Sequence, residues 1–480
     1  MSNSDDKKGD LPPPGLPGCP RCEWLLKRLI ILEEKVSALE ARLAKNSDNS
    51  HKPPSSDGYA KPEPKSLRPK STRPSGGQAG HIGNTLSRVD TPAEIIVHLI
   101  TRCPCGCGQS LHDQPVLRYE SRQVFDLPTQ PLIVTEHRVE VKHCPTSGRD
   151  VSADFPAGVS APAQYGQRFN ALLVYLRVQQ LIPLDRIRQM CGDLFGQSIS
   201  AATIQSAMTT AFNTLGYFEV RVGDLLTQAL VINTDETGLR IAGKLNWLHA
   251  VSTRLLTWYG VHRKRGSEAI QYFDLLTRIT GRLIHDCFIS YFQLNCLHGL
   301  CNAHFLRELT FLHEVQHQAW ALQMKRLLLR MHRAVLAQRQ RAGPSCALQR
   351  TAWTAKYRAV LRRGFTENPP AQLPMPQPRR GRPKHTLAQN LLARLQLHEA
   401  SVLAFLQDSR VPFTNNQAEQ DVRMIKVQQK ISGAFRTFTG AQQFARIRAY
   451  LSTTRKNGLN VFQETVAIFS GNPFMPTISA

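Results

Sequence analysis

At 480 residues the chain is too long for one ordinary domain and long enough to bury a sizeable core. Lysine and arginine number 60 against 36 aspartates and glutamates, and this formal charge of +24 points to a polyanion partner such as nucleic acid. The opening Met1-Ser-Asn-Ser-Asp-Asp lacks the apolar core of a signal peptide, and no stretch nears the roughly 18 uninterrupted apolar residues of a membrane span, so secreted and membrane-spanning classes are set aside and a cytoplasmic location is expected.

Residues 24–45 place Leu25, Leu29, Leu32, Val36, Leu39 and Leu43 at alternating spacings of four and three, with charged residues between them. That is a coiled-coil seam and predicts an oligomerisation helix. Residues 46–90 turn to Ser, Pro, Gly, Lys and His, a composition that reads as a flexible basic linker. Eleven cysteines in a reducing compartment are better metal ligands or thiols than disulfides. Within 91–155, Cys103-Pro-Cys-Gly-Cys-Gly108 is followed by the alternating, strand-like 131–141 and then by His143-Cys144, which suggests a small zinc-ribbon-like module. The candidate zinc ligands are Cys103, Cys105, Cys107 and Cys144; Ser147 stands where a second C-x-x-C cysteine would be, and His98, His137 or His143 is an alternative fourth ligand. Residues 165–222 are helical in pattern, and 184–195, Gly196-Gln-Ser-Ile-Ser and 201–212 have the order of a helix-turn-helix, a unit able to enter a major groove.

The apolar run 228–234 leads to Asp235, two further strand-like runs follow at 245–252 and 255–262, and a fourth, 281–285, ends at Asp286. The first three read as an antiparallel meander. If the strands bearing the two aspartates are neighbours, their carboxylates converge. Downstream, Thr414-Asn-Asn-Gln-Ala-Glu419 opens a helical stretch that can bring a third acid to the same edge. Taken singly, an aspartate ending a strand serves as a turn residue, and a glutamate in a first helical turn favours the helix dipole. Grouped, three carboxylates suit hard divalent cations and phosphodiester chemistry.

In order, the leucine heptads, Lys52-Pro-Pro-Ser-Ser-Asp-Gly58, Gly76-Gly-Gln-Ala-Gly-His81, the Cys module, the helical region, Asp235-Glu-Thr, Cys301-Asn-Ala-His304 and Asn415-Asn-Gln-Ala-Glu419 span nearly the whole chain. The chain thereby resembles transposases of the insertion-sequence-66 family. The resemblance implies a multidomain α/β protein in which a ribonuclease-H-like mixed sheet, residues 225–304 and 408–465, is interrupted by a helical insertion, 305–407. It implies that Asp235, Asp286 and Glu419 are catalytic and bind two Mg²⁺ or Mn²⁺ ions, with Asp286 shared. It implies DNA strand cleavage at element ends and transfer of the 3′-hydroxyl into target DNA. The partners implied are the terminal inverted repeats and target DNA, a second copy of the chain, and small accessory proteins of the same element; the protein would be nucleoid-associated when bound. A catalytically silent DNA-binding derivative that occupies or represses element ends is the alternative, and a structure-specific nuclease a third.

Cys301 and His304 match a C-x-x-H signature of several transposase groups. They are expected to shape the helix after the second catalytic strand, with a zinc site including Cys296 and His298 as the other reading. Arg423, Lys426, Lys430 and Arg436 are candidate phosphate contacts or a solvated basic face. Arg379-Arg-Gly-Arg-Pro-Lys384 reads as a basic hinge or as a minor-groove arginine hook.

Overall fold

The computed structural model describes residues 20–477 apart from 47–48, 51–85, 87, 103, 106, 127, 129–131, 341–349 and 370–384. Cys103, most of the linker and the Arg379–Lys384 segment lie outside the described residues. The chain divides into two compact units. None of the described helices is long and apolar enough to cross a membrane.

In chain order the elements begin with α1 (Pro20–Leu43), whose Leu25, Leu29, Leu32, Val36 and Leu39 are all about half exposed and Leu43 more so. Next come β1 (Val141–Cys144) and β2 (Arg149–Ser152), an antiparallel hairpin in the smaller unit, which covers 66–164 and 188–200. A bridge between Arg102 and Ser110 closes the loop holding Cys105 and Cys107, both exposed. Residues 132–140 form no strand, although their alternation predicts one, because no partner ladder lies beside them. Ile95, Leu117, Val124 and Ile133 are exposed, so residues 91–155 bury little apolar surface of their own.

Four helices follow: α2 (Gln167–Val174), α3 (Leu184–Phe195), α4 (Ala201–Thr214) and α5 (Gly216–Thr227). The expected helix-turn-helix order is present, and Gly196 takes a left-handed φ of 65° in the connection. The α4 helix packs Ile204, Ala207, Met208 and Ala211 against α2 and contains no lysine or arginine.

The larger unit is built on a five-stranded sheet of order β5-β4-β3-β6-β7. Its strands are β3 (Val231–Ile241), β4 (Lys244–Ser252), β5 (Thr257–His262), β6 (Arg282–His285) and β7 (Leu297–Leu300), with α6 (Ser267–Phe273) between β5 and β6. The first three form the antiparallel meander, whereas β6 and β7 run parallel to β3. The first strand does not stop at Asp235. It continues to Ile241 because β4 pairs with it along that length and a two-residue turn, Ala242-Gly243, both at positive φ, sends the chain straight back. A glycine is required at 281, where an added Cβ would lie 2.1 Å from the Ala229 carbonyl oxygen, and that close approach seats β6 beside the start of β3.

Six helices, α7 (Asn302–Glu314), α8 (Ala319–Gln340), α9 (Arg350–Glu367), α10 (Leu387–Leu397), α11 (Glu399–Val402) and α12 (Ala404–Gln407), occupy the expected insertion. Their buried Trp320, Leu328, Tyr357, Leu392 and Phe405 join Ile284 of β6 and Leu300 of β7 in one core, so the insertion packs as an extension of the sheet. The chain returns through α13 (Asn416–Ser432), which lies on β3 and β4, then α14 (Phe438–Lys456) against β5, and α15 (Val461–Phe469) against α2. The α13 helix runs beyond Val427 to Ser432, and Gly433 at φ 71° ends it. An ion pair between Lys456 and Asp421, 2.9 Å and almost wholly buried, ties α14 to α13.

Candidate active site

The parallel half of the sheet decides where the acids meet. The last paired residues of β3 and β6 are Asn233 and Ile284, and those of β6 and β7 are His285 and Leu300. Continuing each register brings Asp235, within β3, level with Asp286 and Cys301, which directly follow the carboxyl ends of β6 and β7, beside the edge at which open α/β sheets bind ligands. The Cys301 amide donates to the His285 carbonyl at 2.9 Å, which holds this alignment.

Glu419 arrives on the first turn of α13, and Asn415 at its N-cap docks that turn. The buried Asn415 amide group donates to the Thr234 carbonyl oxygen at 2.8 Å, its Oδ1 accepts from Asn233 Nδ2 at 2.8 Å, and its backbone N–H points at Cys301 Sγ at 3.1 Å. One residue thereby touches the strand of Asp235 and the end of β7 while starting the helix of Glu419.

Asp286 and Glu419 keep 26% and 30% of their side-chain surface exposed, so the site is open to solvent. Burial, then Glu236, Asp286 and Glu419, push the Asp235 carboxyl well above its usual range. The three carboxylates do not, however, form a group whose oxygens all lie within 4.8 Å; among the described residues the group that meets this distance is Cys301, His304 and Glu419. The donor set of Asp235, Asp286 and Glu419 is all oxygen, which fits hard divalent cations such as Mg²⁺.

Successive side chains of β3 alternate in direction, so Glu236 faces away from Asp235, together with Thr234. Its fully buried carboxylate accepts from the Tyr291 hydroxyl and pairs with Arg265 at 2.6 Å; burial, the first cause, and Asp286 raise its pKa. The same guanidinium lies 4.0 Å from Asp286 and over the rings of Phe288 and Trp247. Arg265 therefore buffers the inner edge of the acidic cluster and leaves the outer edge negative. Nothing in the Arg263-Lys264-Arg265 run distinguishes this arginine by sequence, and Tyr291 sits in an irregular segment without a motif.

Arg423, Lys426 and Lys430 follow Glu419 at helical spacing on one exposed stripe of α13, and Arg436 lies exposed beyond Gly433. The Lys426 ammonium donates to the Gly238 carbonyl at 2.6 Å, which leaves Arg423 and Lys430 the more available cations of the stripe. Cys144 ends β1, with its thiol pKa lowered through Ser147. His298 lies in β7, directly after Cys296 and Leu297, and contacts His285 at 3.1 Å.

The pattern of the Transposase IS66 family matches residues 162–443, a span that includes Asp235, Asp286 and Glu419. The chain belongs to this transposase family. A second pattern, a family of unknown function, matches residues 22–87 of the transposase. No curated protein matches its sequence. Membership of the IS66 family makes the chain a nucleic-acid-processing protein that binds DNA, and its mixed five-stranded sheet with surrounding helices is the α/β architecture expected.

Proposed function

We propose that this IS66-family transposase cleaves DNA at the ends of its insertion sequence and transfers the freed 3′-hydroxyl to target DNA, using Asp235, Asp286 and Glu419 as one site for both steps. The observation that carries this reading is the alignment of Asp235 on β3 with Asp286 just past the end of the neighbouring parallel β6, with the helix of Glu419 tied to β3 by Asn415. Bound divalent cations would supply Lewis acidity to the attacking and leaving oxygens of an in-line displacement. The chain's part is to place the carboxylates, with Asp286 between the other two. Arg265 holds Glu236 out of the site, and Arg423, Lys430 and Arg436 supply cations for backbone phosphates. No serine or tyrosine nucleophile is needed, because water and then the 3′-hydroxyl attack directly.

The proposal extends to the inverted repeats as substrate, to a dimer or larger assembly through α1 that pairs two ends, to accessory proteins of the element, and to a cytoplasmic, nucleoid-bound location. Zinc at Cys103, Cys105, Cys107 and Cys144 would staple residues 91–155, which bury little apolar surface. Asp286→Asn is expected to abolish Mg²⁺- or Mn²⁺-dependent nicking and strand transfer, a loss of several orders of magnitude, while element-end binding in a mobility-shift assay persists. Wild-type cutting by the variant would overturn the triad. End binding without nicking by the wild-type protein would favour a silent DNA-binding role, and nicking without strand transfer a nuclease.

A further inference from the structure

The end of β7 carries a second donor set, different in kind from the acids. Cys301 is the N-cap of α7, His304 stands on the first turn of that helix, and Glu419 faces them from α13. One ligand atom from each lies within 4.8 Å of the other two. The Cys301 Sγ to Glu419 Oε1 distance is 3.7 Å, and His304 Nδ1 to the same oxygen is 3.9 Å. Zinc bonds of about 2.3 Å to sulfur and about 2.0 Å to nitrogen or oxygen put tetrahedral sulfur and oxygen ligands about 3.5 Å apart and nitrogen and oxygen ligands about 3.3 Å apart. The observed sulfur–oxygen and nitrogen–oxygen gaps of 3.7 and 3.9 Å are wider by less than an ångström, within the reach of side-chain adjustment.

The chemistry of the set is selective. One sulfur, one imidazole nitrogen and one carboxylate oxygen suit zinc-class cations and not Mg²⁺, which requires oxygen ligands in octahedral geometry. A second feature points the same way: the backbone N–H of Asn415 is aimed at the fully buried Cys301 sulfur at 3.1 Å. An amide donor to sulfur is the outer-shell contact that stabilises a thiolate ligand. The N-cap position adds the positive end of the α7 dipole.

We infer that Cys301, His304 and Glu419 form a zinc-class site with three protein ligands and an open fourth position, which takes Glu419 away from the acidic triad when it is filled. The binding site stands on the geometry alone; its inhibitory consequence rests on the proposed function of the triad. Filled with zinc, the transposase would hold Asp235 and Asp286 without their third partner, so free Zn²⁺ would restrain transposition.

Cobalt reports the site without any need for DNA cutting. The full chain carrying Cys19→Ser, Cys22→Ser, Cys103→Ser, Cys105→Ser, Cys107→Ser and Cys144→Ser, which removes the six thiols N-terminal to residue 150, is titrated with Co²⁺. The expected result is one equivalent bound with a sulfur-to-cobalt charge-transfer band and the intense visible bands of four-coordinate cobalt. Adding Cys301→Ser should erase the charge-transfer band. His304→Ala, at a partly exposed position, should weaken binding by more than about tenfold, with far-ultraviolet circular dichroism confirming the fold. A charge-transfer band that survives Cys301→Ser, or cobalt bound without one in the parent, would overturn the site. In cleavage assays Zn²⁺ should lower the Mg²⁺-supported rate of the parent, and the ratio of rates with and without Zn²⁺ should approach one in Cys301→Ser. If no variant cleaves, the triad reading fails while the cobalt spectra still decide the zinc-class site.

Discussion

Burial and the charges of Glu236, Asp286 and Glu419 oppose ionisation of the Asp235 carboxyl, a cost that an amide at this position does not carry. Without divalent ions, Asp235→Asn should therefore raise the thermal midpoint, by roughly 3 °C for about 1 kcal/mol of relieved repulsion. Added Mg²⁺ should stabilise the wild-type protein and not the variant. A lowered midpoint with an intact Mg²⁺ response would count against Asp235 as a ligand. His249, whose ring lies in the interior between the Lys264 carbonyl and Phe273, shows the opposite linkage. Burial pushes its pKa down from 6.5 to about 4. Between those values the unfolded chain takes up a proton that the fold refuses, so the stability this group preserves is complete above pH 6.5 and is lost as pH falls toward 4. Urea unfolding should show a drop from pH 7.5 to pH 5 that is smaller by about 2 kcal/mol in His249→Gln than in wild type; an equal drop would show His249 to be protonated in the fold. At this scale the sequence displayed Asp235, Asp286 and Glu419 but not their setting. Arg265, Tyr291 and the amide of Asn415 matter through contacts made across large sequence separations, and no local periodicity records those.

The exposed stripe of α13 makes the third acid and the candidate phosphate contacts parts of one rigid element. Replacing Arg423 by alanine should weaken binding to element ends and to unrelated DNA alike, and should reduce the slope of log K against log salt by about 1. Lys426→Ala should change that slope less, because its ammonium is engaged by the Gly238 carbonyl. Equal slopes for wild type and Arg423→Ala would remove the stripe from the DNA interface. Strand existence was legible from apolar runs, whereas strand ends were not. The apolar run at 228–234 gives way to the polar Asp-Glu-Thr-Gly, but β4 supplies a ladder that carries β3 to Ile241. The reverse befell 131–141, whose alternation had no partner to pair with until Val141 met Ser152.

Across the molecule, the exposed apolar seam of α1 is the surface on which the proposed assembly would rest. Leu29→Lys with Val36→Lys should convert the protein to monomers by light scattering and abolish the pairing of two ends, while binding of single ends persists; an unchanged mass would place the assembly surface elsewhere. The order of motifs displayed the family and the long helical insertion, yet not that the insertion would share a core with β6 and β7. Trp320, Leu392 and Phe405 share that core with Ile284 and Leu300, a contact that no local spacing in the sequence records. The Asn415 clamp has a consequence for how the protein is made. During synthesis Asp235 and Asp286 leave the ribosome well before the helices that separate them from Asn415, and Glu419 follows last of the three. A nascent or prematurely ended chain thus carries two acids and no docked third, so competence to cut the genome would be withheld until the whole central region has been translated and packed.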